Sequence, residues 1–179
     1  VSTVALTTKI RKQTHKRILS FGAKFTSLID PTVDVSHSKI GEGVILYGGV
    51  IVAPNAVVGD HVIASFNSVI GHDSYVGNFS YIATGAKILG AVKIGDGVLL
   101  GANASCYPKI KIGNWSTISM CASVMMDIPE NATVIGEVVL GNEVNIWFGA
   151  VVRGDMHYIK IDSRSNIQDN AVVHVTTSV

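Results

Sequence analysis

At 179 residues the chain suits one domain with at most an appendage, and 47% hydrophobic against 15% charged residues makes it apolar for a globular protein. A net charge of +1 gives no footing for a nucleic-acid partner or an anionic surface, and no apolar run reaches the roughly 18 residues a membrane span needs. The two cysteines, Cys106 and Cys121, build no disulfide framework, so reduced thiols and a cytoplasmic setting are expected.

Residues 1–30 differ in kind from the rest of the chain. Val1–Leu6 reads as a short strand. Lys9–Phe21 (KIRKQTHKRILSF) reads as a basic helix with Ile10, Ile18 and Leu19 on its apolar side and Gly22 as its stop. Lys24–Ile29 then reads as a strand ending at Pro31. The basic run reads as a solvated helix face, with contact to phosphates as the alternative.

From Ile40 to Val124 an apolar residue returns every six positions: Ile40, Leu46, Val52, Val58, Ala64, Ile70 and so on, without a charged or amide interruption. Gly41, Gly59, Gly77, Gly95 and Gly113 add a period of 18, each following an aliphatic residue. Three six-residue steps per 18-residue unit describe a three-sided coil stacked on itself, a parallel β-helix. One inward side chain per face fills a narrow interior, and Cys106 falls at such an inward position. Two positions earlier the residue is usually small or β-branched, as at Ala56, Ser68, Ser74, Ser80, Ala86, Ala104, Ser116 and Ala122, which lets the chain bend at a corner. The glycines after Ile or Val are expected to relieve the same crowding between coils, through backbone angles that other residues avoid.

This pattern, and the stretch from Ala23 (AKFTSLIDPTVDVSHSKIGEGVILYGGVIVAPNAVVGDHVIASFNSVIGHDSYVGNFSYIATGAKILGAVKIGDGVLLGANA), resembles the hexapeptide acyltransferases that acetylate sialic acid or nucleotide-linked amino sugars. The resemblance implies an all-β fold, a left-handed parallel β-helix, despite the right-handed rule for ordinary crossovers. It also implies that residues 1–30 are the strand–helix–strand remnant of a Rossmann-like sugar-nucleotide domain, with the β-helix over 31–179. Acetyl-CoA is the implied donor, a sugar the implied acceptor, and a homotrimer the implied assembly.

Within Ile70-Gly71-His72-Asp73 the resemblance makes His72 the catalytic base and Asp73 the carboxylate that raises its basicity. The chemistry suits the pair, because imidazole titrates near neutral pH and a neighbouring carboxylate can fix its tautomer and steady imidazolium. Tyr81 stands where relatives often carry a second histidine near the thioester, and Gly90 and Ala102 match positions that line the coenzyme groove through their backbone. Lys93 and Lys111, 18 apart, are expected to stack on adjacent coils, either for coenzyme phosphates or as a solubilising ladder.

After Val124 the frame shifts at Asp127-Ile128-Pro129-Glu130, expected as an outward four-residue loop, and resumes at Val134, Leu140, Ile146 and Val152. The later stretch is similar to a second hexapeptide family, the γ-class carbonic anhydrases, through Trp147, Phe148, Arg153-Gly154-Asp155, Asn166-Ile167-Gln168-Asp169 and His174. His174 matches one zinc ligand of that family; the other two have no counterpart, and His157, in a Met156-His157-Tyr158 insertion, is not one, so no metal is expected. The resemblance instead makes Arg153 and Asp155 an inter-subunit pair, with Gln168 and Asp169 as further interface groups. Residues 31–130 and 131–179 thus read as two hexapeptide proteins joined in register, a recombined or engineered fusion or a natural hybrid. The resulting expectation is an acetyl-CoA-dependent sugar acetyltransferase. A non-catalytic trimeric scaffold and a γ-carbonic anhydrase-like zinc protein are the alternatives.

Overall fold

A computed structural model describes residues 7–141 and 143–175. Val1–Leu6 lies outside the described residues, as do the side chains of Asp155, Met156 and His157. The architecture is a left-handed parallel β-helix with one helix laid against it.

Two-residue strands recur every six residues and stack into three parallel sheets. Face A runs through nine strands, from Leu28–Ile29 and Ile45–Leu46 to Val151–Ile161 and Val172–His174. Face B stacks Lys39–Ile40, Val57–Val58, Tyr75–Val76, Lys93–Ile94 and Lys111–Ile112, and face C stacks five strands from Ile51–Val52 to Ser123–Val124. Along the chain the order is B, A, C, then B again one coil on. Strand partners are 18 apart, as in Val57↔Tyr75 and Lys93↔Lys111.

The six-residue period selects the core as expected. From Leu46 to Val124 every inward residue is buried, and Ile40 is half-buried at the edge of the stack. Each fully buried Ile, Leu or Val stabilises the fold by about 1.5–3 kcal/mol relative to exposure. The small corner residues Ala56, Ser68, Ser74, Ser80, Ala86, Ala104, Ser116 and Ala122 are buried as well.

The glycines relieve crowding between coils as expected, but not through unusual backbone angles. Gly41, Gly59, Gly77, Gly95 and Gly113 do not have positive φ. What they provide is clearance: a β-carbon on Gly59 would lie 2.7 Å from Asn78 Oδ1, and one on Gly77 would meet the Gly95 backbone. The left-handed conformation falls instead three residues after each inward position, at all fourteen corners from Gly43 to Cys121, including Phe79, Lys109 and Trp115. Hydrogen bonding explains it. Strand N–H groups point to the following coil, as Tyr81 N to Val98 O at 2.8 Å, whereas the corner N–H of Phe79 points back to Asp60 O at 2.9 Å. Reversing an amide within two residues requires left-handed backbone, which costs a non-glycine residue about 1–2 kcal/mol and is offset here by the satisfied ladder.

The frame shift is a shortened coil and not an outward loop. Ile128 is buried at 3% exposure and bridges Ile112, 16 residues earlier instead of 18. Asp127 Oδ1 accepts from Lys111 N at 2.7 Å and Glu130 Oε1 from Asn114 Nδ2 at 2.7 Å, so both acids are tied to the coil below. Face B's ladder ends at this bridge and resumes as the separate pair Asn145–Ile146 and Asn166–Ile167. Pro129 accounts for the gap, because in this register its missing N–H is the donor toward the next coil. Further on, Gly136 pairs Gly154 but Val138 pairs Ile159, so residues around Met156-His157-Tyr158 form the insertion read from the sequence.

At the other end, Leu28–Ile29 pairs with Ile45–Leu46 as the outermost rung of face A, so the expected longer strand over 24–29 is two residues of the β-helix itself. Helix α1 (Thr8–Leu19) lies along the corner where B passes into A. Thr7 caps it by accepting from Ile10 N at 3.2 Å. Thr8 Oγ1 donates to Gly97 O at 2.6 Å, and Arg11 Nη2 donates to His61 O and Phe79 O, both at 2.6 Å. Arg11 is therefore not on a solvated face; burial pushes its pKa down to about 10. Among the described residues no helix is long and apolar enough to cross a membrane.

Candidate active site at a coil corner

His72 occupies the corner where face C passes into face B. The strand ending at Ile70 delivers the chain to Gly71, whose N–H bonds Ile88 O at 2.7 Å, and Asp73 adopts the left-handed corner conformation with φ 58°. Ser74 locks the turn from inside: its Oγ donates to Leu89 O at 2.8 Å and accepts from Val92 N at 3.1 Å. With its neighbours held by the two adjacent coils, the His72 side chain is left in solvent, 67% exposed.

The imidazole is nonetheless oriented. Nδ1 lies 2.8 Å from Asp73 Oδ2, and Asn55 Nδ2 donates to the other carboxylate oxygen at 3.0 Å. These hydrogen bonds, His72 first and Asn55 second, hold the Asp73 carboxyl below the usual carboxylate range. An ionised carboxylate only accepts, so Nδ1 is the donor of this pair, and in the neutral ring Nε2 is the acceptor. Nε2 faces Gly90 on the next coil, where a β-carbon would collide with the ring. His72, Asp73 and Gly90 are thus one constellation. Asn55 belongs to it too and was not singled out from the sequence; its offset of 18 from Asp73 was the available signal.

Lys93 and Lys111 pair in register on face B, continuing a column that runs from Lys39 through Val57 and Tyr75. Tyr75, Lys93 and Lys111 line a groove of about 1020 Å³ that also takes in Met126, Trp147 and Phe148. His72 stands at the edge of the same face, three residues before Tyr75, without lining the groove. The groove arises from the break after Ile128, which the six-residue period could not reveal. Leu89, Tyr107 and Met125, stacked at intervals of 18 beside His72, are 40%, 55% and 49% exposed.

Tyr81 and Ala102 are placed elsewhere. Tyr81 is on face A between Ile63 and Leu99, and Ala102 is at the corner from A to C. In a three-sided coil the corner joining C to B lies opposite face A, so within one chain neither approaches His72.

In the C-terminal coils, Trp147 Nε1 donates to Asn166 Oδ1, joining two positions of the second resemblance. Arg153 pairs with His174 in the backbone register, and both side chains are exposed. Among the described residues no three His, Cys, Asp or Glu side chains converge as a metal site. Cys106 is buried, which pushes its thiol up to about 12 and leaves it inert.

No protein-family model matches the chain. Curated relatives match over short stretches. Protein YrdA of Escherichia coli is 49% identical over 53 residues, 30% of this chain and 28% of that protein. The mitochondrial γ carbonic anhydrase 1 of Arabidopsis thaliana is 45% identical over 51 residues, 28% of this chain and 18% of that protein. The carbonic anhydrase of Geobacillus kaustophilus is 47% identical over 47 residues, 26% of each chain. The matched stretch therefore spans under a third of these relatives. Among solved structures, the acetyltransferase domain of PglB from Neisseria gonorrhoeae superposes with a TM-score of 0.69 and 28% identity, over 73% of this chain and 64% of that one. The same domain has been solved with acetyl coenzyme A, with a TM-score of 0.68 over the same shares. Perosamine N-acetyltransferase from Caulobacter crescentus, solved with CoA and GDP-perosamine, has a TM-score of 0.69 at 24% identity over 72% of this chain and 63% of that one, a likeness of fold.

Proposed function

We propose that this chain is an acetyl-CoA-dependent acetyltransferase acting on an amino or hydroxyl group of a sugar. The observation that carries the reading is the His72–Asp73 pair at 2.8 Å, with the ring seated where Gly90 lacks a β-carbon. The likeness to the PglB acetyltransferase domain supports it.

The residues fit the donor. Gly90 leaves room for the His72 ring to lie against the next coil, and the Lys93–Lys111 column supplies cations for phosphates along the face B groove. When bound, acetyl-CoA supplies the thioester carbonyl. His72 Nε2 takes the proton from the attacking amine or hydroxyl, and Asp73, pinned by Asn55, steadies the imidazolium that results. Because Tyr81 and Ala102 lie away from His72, they serve the site from a neighbouring subunit, so the reading includes a homotrimer with clefts between prisms. Residues 31–130 form the catalytic coils in this reading. Residues 131–179 derive from the γ-carbonic anhydrase-like lineage and serve the interface, with Arg153 meeting Asp155 of the adjoining subunit. The 47 to 53 residues shared with the curated relatives are close in length to that segment.

Isothermal titration with acetyl-CoA and an acetyl-transfer assay on small amino sugars test the proposal. His72→Ala is expected to lower transfer by about 10²- to 10⁴-fold while leaving coenzyme affinity nearly unchanged. Absence of coenzyme binding at millimolar concentration would favour the scaffold reading instead.

A further inference from the structure

The basic helix leaves three lysines that the acetyl-transfer reading does not use. Lys9, Lys12 and Lys16 share one face of α1 with Gln13, the 3-, 4- and 7-residue offsets that align side chains on a helix. Arg11, Thr8 and His15 fasten adjacent faces to the prism, so the stripe is held against the wall formed by Trp115 and Asn131. Between them is a cleft of about 280 Å³. Lys9, Lys12 and Lys16 line it, and none has a carboxylate partner among the described residues.

Trp115 supplies the wall that faces the helix. It occupies a left-handed corner, with φ 59°, a conformation that suits glycine or asparagine far better than an indole. Gly97 on the preceding coil leaves room for the ring, because a β-carbon there would collide with it. Lys12 Nζ stands 4.9 Å from the ring centroid, so the indole holds one ammonium by cation–π attraction at the cleft wall.

We infer that this cleft binds a phosphate ester or diphosphate, with Lys9, Lys12 and Lys16 on the phosphoryl oxygens and the amides of Gln13 and Asn131 on a polar substituent. Three like charges lining one cleft repel one another, and a phosphoryl group relieves the repulsion while accepting charge-assisted hydrogen bonds. The cleft is at the corner from B to A, distinct from the His72 corner, and stands independently of acetyl transfer.

Trp147→Phe leaves Trp115 as the remaining tryptophan, since the chain has two. In that background, Trp115 emission and isothermal titration are followed at low salt with inorganic pyrophosphate, glucose 1-phosphate and uridine diphosphate. Saturable binding is expected, weakened by about tenfold or more in Lys12→Gln/Lys16→Gln with an unchanged melting temperature. Lys9→Gln alone is expected to weaken it less. Preference for pyrophosphate, for the sugar phosphate or for the nucleotide each supports the site and identifies its source. No binding at millimolar concentration overturns the inference. So does binding indifferent to the double substitution, or binding lost to Lys93→Gln/Lys111→Gln instead.

Discussion

Two histidines on different corners of the prism show how position decides what an imidazole does. His61 lies under α1, with ring centroids 3.9 Å from His15 and 5.0 Å from Phe79. Burial, then the neighbouring His15, lower its pKa. His72 projects into solvent, tethered through Nδ1 to a carboxylate that is itself tethered. The first is packing. The second keeps a free lone pair in a fixed direction. Both corners are built from the same six-residue step. The difference comes from what each corner meets: a helix in one case, and a glycine on the next coil in the other.

The most severe perturbation removes the interior on which both corners rest. Ile94→Asp places an unpaired charge in the fully buried core, at a cost of several kcal/mol. It is expected to yield no cooperative unfolding transition by circular dichroism; a soluble, fully folded variant would contradict the inward assignment. Gly90→Ala acts on one corner alone. Its methyl would displace the His72 ring and is expected to lower acetyl transfer by up to about 10²-fold with the fold preserved. If kcat is unchanged, Nε2 is not the acting base.

Arg11→Met addresses the other corner. It deprives the His61 and Phe79 carbonyls of their guanidinium donor and is expected to loosen α1 by about 1–3 kcal/mol. Hydrogen exchange should rise in the helix while the coils from Ile70 to Leu100 keep their protection. Mild acid should give a smaller effect in the same direction. Burial lowers the His15 and His61 pKa values below the ordinary 6.5, so the unfolded chain binds more protons than the folded one in that window. The contribution of α1 docking is present above pH 6.5 and diminishes as pH falls through the lowered values. The Asp73 pair should persist there, because its depressed carboxyl keeps its stabilisation until pH falls below the ordinary 3.8. Helix amides whose protection, relative to intrinsic exchange at each pH, is no lower at pH 5 than at pH 7.5 would argue against this ordering.

The interior of this protein was legible in its sequence because stacking makes a one-dimensional pattern into a three-dimensional one. A residue's inward or outward direction depends on its place within six, so Ile70, Ile94 and Ile118 could be assigned to the core without coordinates. The adjacency of His72 and Asp73 and the stacking of Lys93 on Lys111 come from the same counting.

What counting could not decide is how the period is interrupted and what is laid across it. Ile128 turns inward because removing two residues still lets it bridge Ile112, and Pro129 then opens the face B groove by withholding one amide. The left-handed conformation at Phe79 and Trp115 comes from amide direction at the corners, which residue identity does not encode. Arg11 is buried because main-chain carbonyls of distant coils converge on it, a contact between segments 50 to 69 residues apart. Period and composition fix which side chains line the prism, since each coil repeats its neighbour. The docking of α1, the separation of Tyr81 from His72 and the cleft at Trp115 belong to the tertiary structure, since each depends on where non-repeating atoms meet.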